Sequence, residues 1–141
     1  MPFSFMCADS TDNSSRQQRG RAARSGGYVA EERVARWLEQ QAITVLARNY
    51  RTRLGEIDLI LQDEGCIAIV EIRQRRNAQF GGAAASIHPA KQQRLIRLAQ
   101  LWLQQHPQWR NAALRFDAIL IDGTPEAGEI RWIKRAFIAS A

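Results

Sequence analysis

Two apolar runs interrupted by carboxylates at matched positions constrain this chain more than any other feature. The first reads Gly55-Glu56-Ile57-Asp58-Leu59-Ile60-Leu61 and the second Cys66-Ile67-Ala68-Ile69-Val70-Glu71-Ile72-Arg73. Gln62-Asp63-Glu64-Gly65 separates them, a polar tetrad ending in Gly, so the two runs are expected to form a hairpin. Symmetry about Glu64 and Gly65 puts Asp58 across from Glu71 and Glu56 across from Arg73. Facing residues have Cβ atoms roughly 5 Å apart, where like charges are destabilising unless something positive lies between them. A divalent cation bridging Asp58 and Glu71 meets that need. The alternative is that Glu56 and Asp58 pair with Arg73 and Arg75 on a solvated edge, and a bulge would spoil the register altogether.

Several separated motifs then occur in one order. They are Gly27-Tyr28-Val29-Ala30-Glu31, Gly55-Glu56-Ile57-Asp58-Leu59-Ile60, Val70-Glu71-Ile72-Arg73-Gln74-Arg75, Phe80-Gly81-Gly82 and Arg115-Phe116-Asp117. Together they resemble the YraN-like family of small uncharacterised bacterial proteins, from about Gly26 to the end of the chain. That family in turn resembles the restriction-endonuclease-like fold, in particular the archaeal Holliday-junction resolvases. The resemblance implies a mixed α/β sheet flanked by helices and a Glu, Asp, Glu-x-Lys site. By position the pattern falls on Glu31, Asp58, Glu71 and Arg73. The last departs from it. Arg can stabilise negative charge, but its guanidinium does not lose a proton near neutral pH and is no substitute for a general base.

Along the chain, residues 1–25 read as a disordered basic tail carrying Arg16, Arg19, Arg21 and Arg24, with Gly26-Gly27 as the boundary of a single nuclease-like domain over 26–141. A helix is expected from Tyr28 to about Gln41, with Ala30, Val34, Trp37 and Leu38 on its apolar stripe. Glu31 borders that stripe, whereas Glu32 points away and suits a surface ion pair. Thr44 to Arg51 reads as the first strand. Pro89 opens a second helix running to about Gln105, with His88 before it and Leu95, Leu98, Ala99 and Trp102 as its buried face. Lys91 projects from the same face one turn earlier, while Arg94 and Arg97 look outward. Two strands, Leu114 to Asp122 and Glu129 to Phe137, close an αβββαββ order.

Composition adds a partner. The formal net charge is +6, and Lys91 and Lys134 are the only lysines. Arg presents a planar fork suited to phosphate oxygens, which fits a nucleic-acid backbone better than a merely soluble surface, although a codon bias would give the same counts; no membrane partner is expected. Arg48, Arg51, Arg53, Arg75 and Arg76 are expected to line its approach. Cys7 and Cys66 have no ligand-spaced neighbours, so neither a disulfide nor a zinc site is expected. No apolar run approaches the roughly 20 residues of a membrane-spanning helix, and the chain reads as cytoplasmic.

The chemistry expected is Mg²⁺- or Mn²⁺-dependent cleavage of structured or branched DNA, with homodimerisation as the assembly to test. Asp58, Glu71 and the Ile72 carbonyl would bind the metal, and Glu31 would hold a metal-bound water. Arg73 would contact the phosphate, and Lys91 would replace the missing site lysine. The competing reading is a catalytically inactive nucleic-acid-binding module that keeps the nuclease fold. Arg73 favours the second, while the three carboxylates favour the first, because a binder of phosphates gains nothing from acidic groups beside them.

Overall fold

Glu64 and Gly65 both have positive φ, 49° and 80°, the paired left-handed conformations of a two-residue hairpin turn. The computed structural model, which describes residues 25–75 and 87–139, builds its sheet outward from this turn. Strands β2 (Gly55–Asp63) and β3 (Cys66–Arg75) pair antiparallel, with Asp63 across from Cys66 and Leu59 across from Val70, the register expected for a symmetric hairpin. β1 (Thr44–Thr52) lies antiparallel on the free edge of β2. β4 (Ala113–Asp122) runs parallel to β3, and β5 (Glu129–Phe137) antiparallel to β4, so the five strands lie in chain order in one mixed sheet.

The parallel step needs a crossover, and α2 (Pro89–Gln105) supplies it. His88 caps this helix, its Nδ1 accepting from the Ala90 amide at 3.2 Å. Leu95, Leu98, Ala99 and Trp102 are its buried residues, as the periodicity predicts. They pack on Ile57, Ile60, Ile67, Ile69, Phe116 and Ala118. The other face of the sheet, with Leu59, Leu61, Ala68, Val70, Ile119 and Ile121, is covered by Ala30, Val34 and Leu38 of α1 (Ser25–Gln40). The architecture is therefore a sheet between two helices in the αβββαββ order.

Two expectations need correction. α1 begins at Ser25 rather than at Tyr28, so Gly26 and Gly27 lie in its first turn; Gly is permissive enough to enter a helix that packing secures further along. The ladder between β2 and β3 does not continue to Glu56 and Arg73. It stops at Leu59 and Val70, after which Glu56 lies across from Arg51 on β1 and Arg73 across from Leu120 on β4. The reason is the Asp58 side chain, whose Oδ2 takes the amide hydrogen of Ile72 at 2.8 Å, a hydrogen bond from side chain to backbone where the ladder has ended. The basic tail, Arg76 and the segment containing Phe80-Gly81-Gly82 lie outside the described residues.

Candidate metal and phosphate site

The break in the ladder is where side chains from both faces of the sheet meet. Glu31 of α1, Glu56 and Asp58 of β2 each offer a carboxylate oxygen, and these three oxygens lie within 4.8 Å of one another. Glu31 is buried, with 8% of its surface exposed, and Glu71 is buried to a similar degree at 7%. Helix α2 follows β3 and packs back across the sheet, which brings its first turn to the carboxyl end of β3 beside Glu71. Lys91 Nζ lies 2.5 Å from Glu71 Oε1. Glu56, Asp58, Glu71, Lys91, Arg94 and Leu95 line a cavity of about 290 Å³.

The electrostatics of Asp58 are the clearest sign that this cluster is under stress. Burial, reinforced by the neighbouring Glu71 and Glu31 charges, pushes its carboxyl up from 3.8 to about 7. The Ile72 amide and Lys91 pull in the other direction and lose. Four carboxylates, met by the Lys91 ammonium at Glu71 and by Arg51 at Glu56, form an oxygen-rich donor set. Such a set suits a hard divalent cation, which prefers oxygen ligands.

The sequence-predicted residues divide accordingly. Glu31 and Asp58 come together as expected. Glu71 lies in the same cavity but its carboxylate meets Lys91, and it is Glu56 that completes the group of three. Lys91 reaches the site, as its helical spacing suggests. Arg94, expected to look outward, instead lines the cavity. Of the arginines expected along the approach, Arg48 and Arg75 are held away from the cavity and Arg51 is held at it by Glu56. Arg48 pairs with Glu32 at 2.6 Å, the surface ion pair foreseen for that glutamate. Arg51 pairs with Glu56 at 2.8 Å. Arg75 is almost fully buried against Asp122. Arg53 is exposed in the β1–β2 turn, and Arg73 is half-buried on β3.

Arg115 and Asp117 form a second polar cluster. Asp117, 1% exposed, accepts from the Arg115 guanidinium at 2.9 Å, from Trp132 Nε1 at 2.9 Å and from the Arg135 amide at 3.0 Å. The last bond holds a register shift in β5, where Arg135 has φ of 58°. Arg115 also reaches Asp63 at 2.9 Å, and Lys134 joins that carboxylate at 2.9 Å. Burial pushes the Asp63 carboxyl up, but Lys134 and Arg115 outweigh it and the net shift is downward. This motif pins the sheet together and takes no part in the acidic cluster.

A mixed sheet clasped by two helices, with acidic groups converging on a polar cavity where two strands part, defines a small α/β protein. The chain belongs to the uncharacterised protein family UPF0102, whose family model matches residues 30–121. It is 43% identical over 133 residues to a UPF0102 protein of Halorhodospira halophila, covering 94% of this chain and 97% of that one. It is 48% identical to the UPF0102 protein of Nitrosomonas europaea, covering 82% of this chain and 96% of the relative. The figure for the UPF0102 protein of Methylobacillus flagellatus is 50%, covering 80% and 96%. This is the YraN-like family read from the motifs. Among the described residues, no helix is long and apolar enough to cross a membrane.

Proposed function

We propose that this protein is a nucleic-acid phosphodiesterase of the restriction-endonuclease-like type, dependent on Mg²⁺ or Mn²⁺ and acting on structured or branched DNA. The observation that carries the reading is the group of three carboxylates drawn from α1 and β2 within 4.8 Å, beside a fourth held by Lys91. Burial, reinforced by repulsion from Glu71 and Glu31, raises the Asp58 carboxyl to about 7, a cost that a bound cation would offset. Glu31, Glu56 and Asp58 would hold the ion, with the second oxygen of Glu71 and the Ile72 carbonyl within the same donor set. When bound, such an ion supplies an activated water and neutralises charge at the scissile phosphate.

The protein's own residues account for the rest. The carboxylate of Glu71 fixes the Lys91 ammonium at the cavity, where it meets the negative charge that develops on the phosphoryl oxygens. Arg73 adds a positive charge on the same strand but is no substitute for a general base, so Lys91 takes the place of the site lysine. The three carboxylates orient the nucleophile and exclude a second anion from their own side.

The deciding experiment incubates the purified protein with branched, single-stranded and duplex DNA in Mg²⁺, Mn²⁺ or EDTA, beside Asp58→Asn. Cleavage that needs metal and is lost in the variant supports the reading. Arg73 motivates a second reading, a binding module that keeps the fold without cleavage. Metal-independent binding with no cleavage of any substrate selects it.

A further inference from the structure

We infer that Arg94 is the phosphate-binding residue of this site, and that Gly55 exists to let it lie there. The inference rests on the reading above and adds the group that receives the substrate. Arg94 lines the cavity, is exposed to solvent, and makes no hydrogen bond or ion pair with any of the described residues. Lys91, the other cation of the cavity, is held by Glu71.

The stem of Arg94 crosses bare backbone. A Cβ placed on Gly55 would sit 2.9 Å from Arg94 Cδ and 3.6 Å from its Cγ, so any side chain at position 55 would push the arginine aside. Gly55 also has φ of 137°, a conformation that L side chains rarely adopt. Both constraints fall on the residue that precedes Glu56 and begins β2. The stem is thereby confined against Gly55 and Leu98, which lowers the entropy lost when the guanidinium grips a ligand.

Charge balance identifies the ligand. Arg51 offsets Glu56 and Lys91 offsets Glu71, each through a direct ion pair. A divalent cation held by Glu31, Glu56 and Asp58, as proposed above, would lower the negative charge of the site further. Arg94 is the cavity cation with no carboxylate partner among the described residues, and a phosphodiester carrying a single negative charge matches it. Its planar fork suits two phosphate oxygens, and because it contacts backbone alone it confers no base preference.

The test uses the full chain and a fluorescently labelled branched DNA, with Ca²⁺ replacing Mg²⁺ to hold cleavage back. Arg94→Met keeps the apolar stem over Gly55 and removes the charge. Its DNA affinity falls about tenfold, and the slope of log affinity against log salt becomes shallower by about one. Arg94→Lys restores the slope but recovers only part of the affinity. Arg110→Met, at an exposed arginine beyond the C-terminal end of α2, leaves both nearly unchanged. Mn²⁺ binding measured by calorimetry without DNA is retained in Arg94→Met. If Arg94→Met binds DNA as Arg110→Met does, or loses Mn²⁺, the assignment is wrong while the functional reading stands. A wild-type protein that binds no DNA overturns both.

Discussion

Replacing Asp58 by Asn should stabilise the metal-free protein and destroy the metal site at the same time. Asp58 is held with its carboxyl at about 7 against an ordinary value of 3.8. The folded state therefore binds this proton more tightly than the unfolded state does. The stability that comes with it is full below about pH 4 and is lost as pH rises toward 7. Above that, the ionised carboxylate opposes folding by about 4 kcal/mol if the whole shift is converted. Relaxation of Glu31, Glu71 and Lys91 around the charge, and partial access of water, reduce this to on the order of 2 kcal/mol. The amide keeps an oxygen for the Ile72 hydrogen and carries no charge. Asp58→Asn should then melt roughly 6 °C above wild type in EDTA at about pH 8.5, and the gap should narrow as pH falls and close only below about pH 4, where Asp58 is protonated in the folded and unfolded states alike.

Added Mn²⁺ should reverse the order, raising the melting temperature of wild type by mass action and leaving the variant unmoved. Thermal melts at two pH values, with and without metal, read all of this. A variant less stable than wild type at high pH in EDTA, or a gap independent of pH, would refute the argument that Asp58 is strained by its acidic neighbours. Identical Mn²⁺ responses would remove it from the metal site.

Other outcomes follow from the same geometry. Lys91→Met should abolish metal-dependent cleavage while leaving the fold intact and DNA affinity within about threefold, since one of several phosphate-side charges is lost; normal cleavage by this variant, or activity appearing only in Arg73→Lys, would show that Lys91 has no such role. Asp117→Ala removes the acceptor of Arg115, Trp132 and the Arg135 amide, and should cost about 3 kcal/mol in denaturant unfolding without changing Mn²⁺ affinity. A loss under about 1 kcal/mol would mean that Asp63 alone satisfies Arg115. DNA binding should weaken steeply with added salt, and a flat response in a titration would point to a protein partner instead.

Much of the fold was legible because it rests on local rules. The Glu64-Gly65 turn, the buried stripe of α2 and the Pro89 start each depend on a few neighbouring residues, and each appears where the pattern puts it. The restriction-endonuclease-like identity belongs to the proposal, whereas the mixed sheet and its helices are directly described. What the sequence could not give was the point at which the hairpin opens. A constant register is the default for two alternating strands, and nothing in the string Glu56-Ile57-Asp58 marks where a side chain will take the place of a backbone partner. That break decides the composition of the acidic cluster. It places Glu56 beside Arg51 and Glu31, and Glu71 beside Lys91. Arg94 was readable and was missed. It lies three residues beyond Lys91, and residues three apart share a helix face, so placing Lys91 at the site implied placing Arg94 there too.

The excess of Arg also reads differently once its partners are known. In the free sequence every guanidinium counts toward a polyanion, yet Arg48, Arg51, Arg75 and Arg115 are each held by a carboxylate of this chain. Bound in that way, they contribute little field beyond the surface, because each ion pair is nearly neutral at a distance longer than the Debye length. On α2, Arg94 and Arg97 have no carboxylate partner among the described residues and lie along the side that overlooks the cavity and then turns toward solvent. A strand arriving along that helix meets the guanidinium of Arg97 before it meets Arg94 and the carboxylates. Association is thus governed by an exposed residue and chemistry by an enclosed group. Arg97→Glu should accordingly slow DNA association measured by stopped-flow anisotropy at low salt by more than it changes the dissociation rate, and an effect confined to dissociation would place the approach on another face.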